Sequence, residues 1–245
     1  MKLSKKAGAI FLVSAMVLAG GVSRLAAQID PAMIAQLPKD IYPESGNRLP
    51  LPRRDDMNDA EKKIFDDIMH DQLGGSYRSR GEERPSVRLH SPELAKGMEE
   101  AHRYLKYDTQ LGPRALEVAI LTTAREATNQ YEWTQWLEHA QSPKDPRALE
   151  PVVVDTILNC KPVEGLVEKD AAIITFGRQM LGSRKVSSAA FADVLRLFGK
   201  RGTVDLVELM ALYQATGDEL VAFDMQLNKG QKPSLPESVR TSCGK

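Results

Sequence analysis

The segment between Gly112 and Ala140 constrains the fold more than any other part of the chain. Gly112-Pro113 marks a helix start, because proline is favoured in the first helical turn. The run Val118–Ala124 (VAILTTA) that follows has almost no polar side. A helix that is apolar all round must be covered on every side. The segment therefore predicts a central helix that reaches about Thr128 and is surrounded by other elements.

Helical signals recur along the rest of the chain, and no segment shows the alternation of a strand. Asn58 and Glu61 have capping-box spacing. Ser91-Pro92 is a cap followed by proline, and Asn129 begins the helix after the central one. Further helical patterns cover 146–158, 167–182, 187–199 and 203–227. The sequence predicts an all-α fold.

Composition divides the chain into a signal peptide, a proline-rich N-terminal arm, a helical domain and a flexible tail, which are residues 1–27, 28–57, 58–228 and 229–245. The signal peptide has a basic start, an apolar run and small residues before a predicted cleavage site at Gln28. An uncleaved anchor is the alternative, because Arg24 lies close to that site. No other segment is long and apolar enough to cross a bilayer. We expect a periplasmic or secreted protein without stable membrane insertion after processing.

The bulk properties exclude several classes of function. The formal net charge is zero, and nucleic-acid binding needs a clustered basic face, so we expect no nucleic-acid partner. The sequence has no HExxH, no paired Cys/His spacing, no phosphate-binding glycine loop and no GxSxG elbow, so we expect no metal or nucleotide cofactor. Cys160 and Cys243 either pair in an oxidising compartment or stay as two unpaired thiols.

Two carboxylates stand in apolar or aromatic surroundings. Glu117 shares a helical face with three apolar residues of the central helix. Burial favours the neutral form of a carboxyl unless a cation reaches it, and a neutral acid suits general acid catalysis. Glu117 is therefore either a general acid or one half of a structural ion pair, with an arginine such as Arg114 or Arg125.

The second carboxylate, Glu132, lies three residues after Asn129. This spacing allows Glu132 simply to cap the helix. Alternatively, the dipole at the helix start keeps Glu132 ionised. One neutral and one charged acid would then divide the acid and base roles.

Aromatic and basic residues near these acids are the remaining candidates. Trp136 and His139 follow Glu132 by four and seven positions and share its helical face. His139 is a candidate for proton transfer, although a single histidine is more often structural. The candidate substrate contacts are Tyr131, Trp133, Trp136, His90 and, if it faces inward, Arg125 as holder of a substrate carboxylate. Alternatively, the two tryptophans are packing residues of the core or of an interface and do not contact a substrate.

Four motifs occur in order between Arg48 and Leu227: RLPLPRRDDM, RLHSPELA, GPRALEVAILTTAREATNQYEW and KVSSAAFADVLRLFGKRGTVDLVEL. Together they resemble the carboxymuconolactone decarboxylase-like proteins of the alkylhydroperoxidase D-like superfamily. The resemblance implies an alkylhydroperoxidase D-like helical bundle that forms homo-oligomers. It also implies a pocket around the central helix pair and chemistry without a cofactor. Glu117 and Glu132 match the acidic positions of that family.

The chain departs from the family pattern at three places. Peroxidase members carry a CxxC where this chain has Asn129 and Glu132. Many other members read EWxxH, and Trp136 stands at the position of that histidine. In the C-terminal helix, Thr216-Gly217-Asp218 interrupts a usually apolar run. This interruption predicts either a kink or a carboxylate that points into a cavity or a partner subunit.

Three functions follow as hypotheses. The first is a cofactor-free lyase or isomerase that acts by acid-base catalysis on a small carboxylated or lactone-like substrate. The second is a non-catalytic exported binding or scaffold protein, favoured by the missing histidine and the missing CxxC. The third is a thiol peroxidase that uses Cys160 and Cys243, which requires the C-terminal segment to fold back onto the body.

Overall fold

A computed structural model describes residues 37–70, 86–228, 230–239 and 241–243. The predicted signal peptide and the first part of the arm, through residue 36, lie outside the described residues, as do residues 71–85. The described residues from Pro38 onward belong to one compact unit.

The described residues form seven α-helices: α1 (Asp59–Met69), α2 (Pro92–Arg103), α3 (Pro113–Glu126), α4 (Gln130–Ala140), α5 (Pro151–Leu158), α6 (Glu168–Gly177) and α7 (Ser188–Ala222). Short 3-10 turns cover Arg54–Asp56 and Val87–His90. A π-helical turn, Tyr104–Asp108, follows α2, and a second, Arg178–Gly182, follows α6. The described part of the chain contains no strand, so the predicted all-α fold is confirmed.

The apolar helix α3 lies at the centre of the fold. It packs against α4, α5, α6 and α7, and Val118, Ile120 and Leu121 have no exposed surface. Gly177 lets α6 approach α3 closely, because a Cβ atom there would lie 2.7 Å from Cγ2 of Thr122. Every side chain on α3 between its ends is therefore surrounded by protein.

Local capping signals set the helix starts. Asn58 and Glu61 form both halves of a capping box at α1. The side-chain oxygen of Asn129 accepts a hydrogen bond from the backbone N–H of Glu132 at 2.8 Å and caps α4. This bond fixes where α4 begins, and with it the direction in which the α4 side chains point.

Helix α7 spans a region that the sequence divides into two helices. The two runs join through one non-helical residue, Gly199. Its φ of 66° is a conformation that glycine adopts without steric strain. The helix continues through Gly217, which leaves room for Asn129, and Nδ2 of Asn129 donates to the Gly217 carbonyl at 2.8 Å. Asp218 lines a surface cleft of about 430 Å³ between α7 and the π-helical turn after α6. The glycine therefore serves close packing, and the acid faces the cleft.

The C-terminal segment contacts the helical body at several described places. Leu235 is buried in the main core, and Gln231 shares a hydrogen bond of 2.5 Å with Gln135 of α4. Cys243 forms a disulfide with Cys160, which follows α5, at a Cα–Cα distance of 5.3 Å. Of the two alternatives for the cysteines, the structure thus shows pairing. The segment predicted to be a flexible tail is attached to the body by apolar burial and by a covalent bond.

The described part of the proline-rich arm lies beside the end of α7. The backbone N–H of Arg48 donates to the carbonyl of Phe223 at 2.9 Å, and that of Gln226 donates to the carbonyl of Gly46 at 2.9 Å. Among the helices of the described residues, none combines the length and the apolar character that a membrane span requires.

Candidate functional site

Trp136 lies at the centre of a cluster of polar and aromatic side chains. Its indole Nε1–H donates to Oε2 of Glu132 at 2.8 Å, a contact that the four-residue spacing on α4 allows. Both side chains are buried, with 5% of Trp136 and 7% of Glu132 exposed. The indole therefore offers a hydrogen-bond donor to the neighbouring buried carboxyl.

Two cations lie against the ring of Trp136. Nζ of Lys106 is 5.2 Å from the ring centroid, and Cζ of Arg147 is 5.6 Å from it. Lys106 belongs to the π-helical turn after α2, a type of distortion often found at functional sites, and Arg147 belongs to the loop after α4. Each contact is worth about 0.5–2 kcal/mol, depending on how far water is excluded. Two positive charges therefore share one aromatic surface.

His139 forms a three-part contact with two residues of the loop after α4. Its Nδ1 lies 2.8 Å from Oδ2 of Asp145 and 2.6 Å from Nη2 of Arg147. Arg147 also donates to both carboxylate oxygens of Asp145, at 2.8 and 2.6 Å. The Arg147 guanidinium holds the pKa of Asp145 well below its ordinary value, although partial burial acts the other way. Nδ1 of His139 is thus engaged by the ion pair, while Nε2 is buried on the other side of the ring.

Glu117 joins this cluster through the charge of Arg147. Glu117 has no exposed surface. Burial lowers the pKa of Arg147, but hydrogen bonding to Asp145 and the charges of Asp145 and Glu117 outweigh burial, so the pKa is raised. Of the arginines that the sequence offers as partners, Arg114 instead binds two other carboxylates, and Arg125 binds backbone carbonyls. The cation whose pKa the charge of Glu117 raises is therefore Arg147, which lies in the loop after α4.

A tyrosine and a second histidine extend the cluster towards α2 and α7. The ring of Tyr213 meets that of Trp136 edge-on at 5.3 Å, and its hydroxyl lies 3.0 Å from Nε2 of His102. Burial lowers the pKa of His102 to about 3, and the charges of Lys106 and Arg88 add to this effect. His102 is therefore neutral at pH 7 and acts as a hydrogen-bonding partner of the tyrosine.

The structure separates the residues predicted for the site into two groups. It brings together Glu132, Trp136 and His139, and it places Glu117 within range of the charge of Arg147. The other four predicted residues, which were candidate substrate contacts, have different surroundings from this group. Trp133 is fully buried in the main core, as its alternative role predicted. Tyr131 is half-buried in the first turn of α4.

The other two predicted substrate contacts have different partners. His90 is exposed, and its Nε2 lies 2.8 Å from the carbonyl oxygen of Pro50 in the arm. Arg125 donates to the carbonyl of Leu158 at 2.7 Å and to that of Thr241 at 2.8 Å. Its guanidinium thus faces the C-terminal segment rather than the cluster, so a role for Arg125 in holding a substrate carboxylate disagrees with this geometry.

Sequence reasoning missed five members of the cluster: His102, Lys106, Asp145, Arg147 and Tyr213. Arg147 falls within the helical pattern predicted over 146–158, although α5 begins only at Pro151. Asp145 stands in a short polar stretch, SPKDP, that has no helical periodicity. Such a stretch gives no signal beyond a turn. Within the described residues, no three His, Cys, Asp or Glu side chains are placed to hold a metal ion.

The cluster has the parts needed for acid-base chemistry on an anion: two buried carboxyls, an imidazole held by a carboxylate, and two cations on one aromatic ring. Neither a family model nor a curated protein matches this chain in sequence comparisons.

Proposed function

We propose that this chain is a cofactor-free lyase or isomerase that acts by acid-base chemistry on a small carboxylated or lactone-like substrate. The observation that carries this proposal is the grouping of Glu132, His139 and Arg147 around the ring of Trp136, with the buried Glu117 close enough for its charge to raise the pKa of Arg147. Membership of the carboxymuconolactone decarboxylase-like family, an alkylhydroperoxidase D-like fold and a homo-oligomeric state belong to the same proposal. The all-α fold and its central helix pair support them.

Lys106 and Arg147 are the residues that would attract the substrate carboxylate. Both lie within about 6 Å of the same ring centroid, the range of a cation–π contact. Arg147 is held in place by its two bonds to Asp145, so its guanidinium is positioned before the substrate arrives. This pair replaces Arg125, which the sequence alone favoured for that task.

The acids and His139 would handle the proton. When carbon dioxide leaves from beside a conjugated carbonyl, the carbon–carbon bond breaks and its electron pair moves to the carbonyl oxygen as an enolate. A neutral acid stabilises that oxygen and gives a proton to the carbon. Glu117 has the buried position for this role, and Glu132 or His139, through Nε2, would take or return the proton during an isomerisation.

Conversion of a ligand tests the proposal directly. The full chain is incubated with a panel of small lactones and β-keto acids, and mass spectrometry and NMR compare each compound before and after. Loss of carbon dioxide or an isomerised product is expected. Arg147→Lys keeps the charge but loses the paired bonds to Asp145, so it is expected to raise KM more than it lowers kcat. Complete recovery of every compound unchanged would refute the catalytic role.

A second candidate is a non-catalytic binding protein, and Trp136 favours it. An indole N–H is a donor only and does not ionise near neutral pH, so Trp136 holds Glu132 without being able to act as the family's histidine does. This candidate predicts that a carboxylated ligand binds, as measured by calorimetry, and is recovered intact. The two candidates share the cluster and differ only in turnover.

A further inference from the structure

The disulfide between Cys160 and Cys243 joins the loop after α5 to the C-terminal segment, and its two sulfurs stand in different electrostatic surroundings. We propose that this disulfide is a thiol–disulfide exchange site. A dithiol reductant, either a small molecule or a protein, attacks the sulfur of Cys243, and Cys160 leaves as a thiolate stabilised by Arg125. This inference does not depend on the proposed acid-base function.

Arg125 marks Cys160 as the leaving sulfur. Its Nη2 lies 3.1 Å from Sγ of Cys160, and the residue is only 6% exposed. The same guanidinium donates to the carbonyls of Leu158 and Thr241, one on each side of the disulfide. A guanidinium stays charged in proteins, and an adjacent cation stabilises a thiolate. Three hydrogen bonds fix this cation beside the Cys160 sulfur.

The surroundings of Cys243 have the opposite polarity. Its backbone N–H donates to Oε1 of Glu126 at 3.2 Å, and its sulfur lies 3.9 Å from the carbonyl oxygen of Ile157. The carbonyl oxygen of Ile157 disfavours a negative charge on the Cys243 sulfur, whereas the Arg125 guanidinium favours one on the Cys160 sulfur. Exchange is faster when the leaving thiol has the lower pKa. The electron pair of the disulfide bond therefore goes to Cys160, which is the leaving thiolate.

The exchange balances as two successive displacements. The thiolate of the reductant forms a bond with Sγ of Cys243, the disulfide bond breaks, and its electron pair goes to Sγ of Cys160. The second thiolate of the reductant then attacks the reductant sulfur that is bonded to Sγ of Cys243, and Cys243 leaves as a thiolate. The protein gains two electrons and, on protonation of both sulfurs, two protons, and the dithiol becomes a disulfide.

The first experiment locates the attacked sulfur in the unmodified chain. The oxidised protein reacts briefly with a limiting amount of glutathione, a monothiol whose first displacement gives a mixed disulfide and one free protein thiolate. The reaction is quenched with acid, and the peptides are analysed by mass spectrometry. Glutathione is expected predominantly on Cys243, with Cys160 as a free thiol. Equal labelling, predominant labelling of Cys160, or a disulfide that resists both glutathione and dithiothreitol in the folded protein would overturn the proposal.

The second experiment measures the effect of Arg125 on the Cys160 thiol. The reduced protein is alkylated with iodoacetamide from pH 5 to 10, and the rate at each cysteine is followed by mass spectrometry. The midpoint for Cys160 is expected at least about one pH unit below that of an ordinary thiol, and Arg125→Gln is expected to return it to the ordinary range. Arg178→Gln is the matched control, because Arg178 donates to the carbonyls of Thr156 and Lys161 near Cys160.

Arg178→Gln removes hydrogen bonds to the same loop and is expected to move the Cys160 midpoint by less than half as much as Arg125→Gln. Equal shifts in the two variants would mean that loop anchoring, rather than the cation at the sulfur, sets the reactivity. An unchanged midpoint in Arg125→Gln would contradict the assigned role. If Arg125→Gln does not fold, the labelling pattern of the unmodified chain still decides the proposal.

Discussion

The neutral, partly buried His102 makes the stability of this protein sensitive to mild acid. Histidine in the unfolded chain takes up a proton near pH 6.5, whereas burial lowers the pKa of His102 in the folded protein to about 3. Between these two values the unfolded state binds one more proton than the folded state, so stability rises with pH. The part of the folding stability that depends on His102 being neutral is complete above pH 6.5 and is lost progressively as the pH falls.

Between pH 7 and pH 4.5 this linkage removes about 2.5 kcal/mol from the free energy of unfolding. The figure depends little on the folded pKa, because both pH values lie well above about 3. His102→Gln keeps a polar side chain that can bond the hydroxyl of Tyr213 but cannot take up a proton. This variant is therefore expected to lose about 2.5 kcal/mol less than the unmodified chain over the same interval.

Urea unfolding followed by circular dichroism at both pH values measures these free energies. His90→Gln is the matched control, because His90 is exposed and lies outside the cluster around Trp136. This control is expected to follow the unmodified chain. If His102→Gln loses as much stability as the unmodified chain, His102 is not held in its neutral form by the folded protein. The surroundings assigned to His102 on α2 would then be wrong.

Three further changes test individual contacts. Trp136→Phe removes the donor to the buried carboxyl of Glu132 and is expected to cost about 1–3 kcal/mol in urea unfolding; an unchanged free energy would show that this bond adds no net stability. Replacing both Cys160 and Cys243 by serine is expected to cost about 4–5 kcal/mol, because the disulfide closes a sequence separation of 83 residues; a loss below about 1 kcal/mol would contradict this. Gly177→Ala is expected to cost about 1–3 kcal/mol, since the new methyl group would lie 2.7 Å from a side chain of α3 and 3.0 Å from one of α7; a raised melting temperature would show that the packing there can relax.

The central helix pair is accessible to sequence analysis because its signals are local. An apolar run after Gly112-Pro113 places α3 in the core, and Asn129 caps α4 within three residues of Glu132. Once the caps are fixed, the four-residue spacing brings Glu132 and Trp136 into contact. These features depend on residues close together in the chain, so periodicity and capping rules are enough to predict them.

The influence of the Glu117 charge on Arg147 could not be predicted in the same way. The sequence offers Arg125 on the same helix, but that residue follows Glu117 by eight positions and so lies about 12 Å further along the axis. Arg147 reaches the cluster because the chain turns back after α4 and because Asp145 orients its guanidinium. The pairing of the cysteines also depends on where the C-terminal segment folds, which composition alone does not indicate.

The turnover of two glutamate variants tests the central claim most directly. Glu117→Gln replaces the fully buried acid of α3, and Glu138→Gln replaces an exposed acid of α4 that is bonded by Gln231. Both are compared with the unmodified chain on whichever lactone or β-keto acid it converts, with folding checked by circular dichroism. Glu117→Gln is expected to lower kcat by a factor of about 100 or more, while Glu138→Gln is expected to stay within about twofold. A folded Glu117→Gln variant with full turnover would contradict the acid-base site.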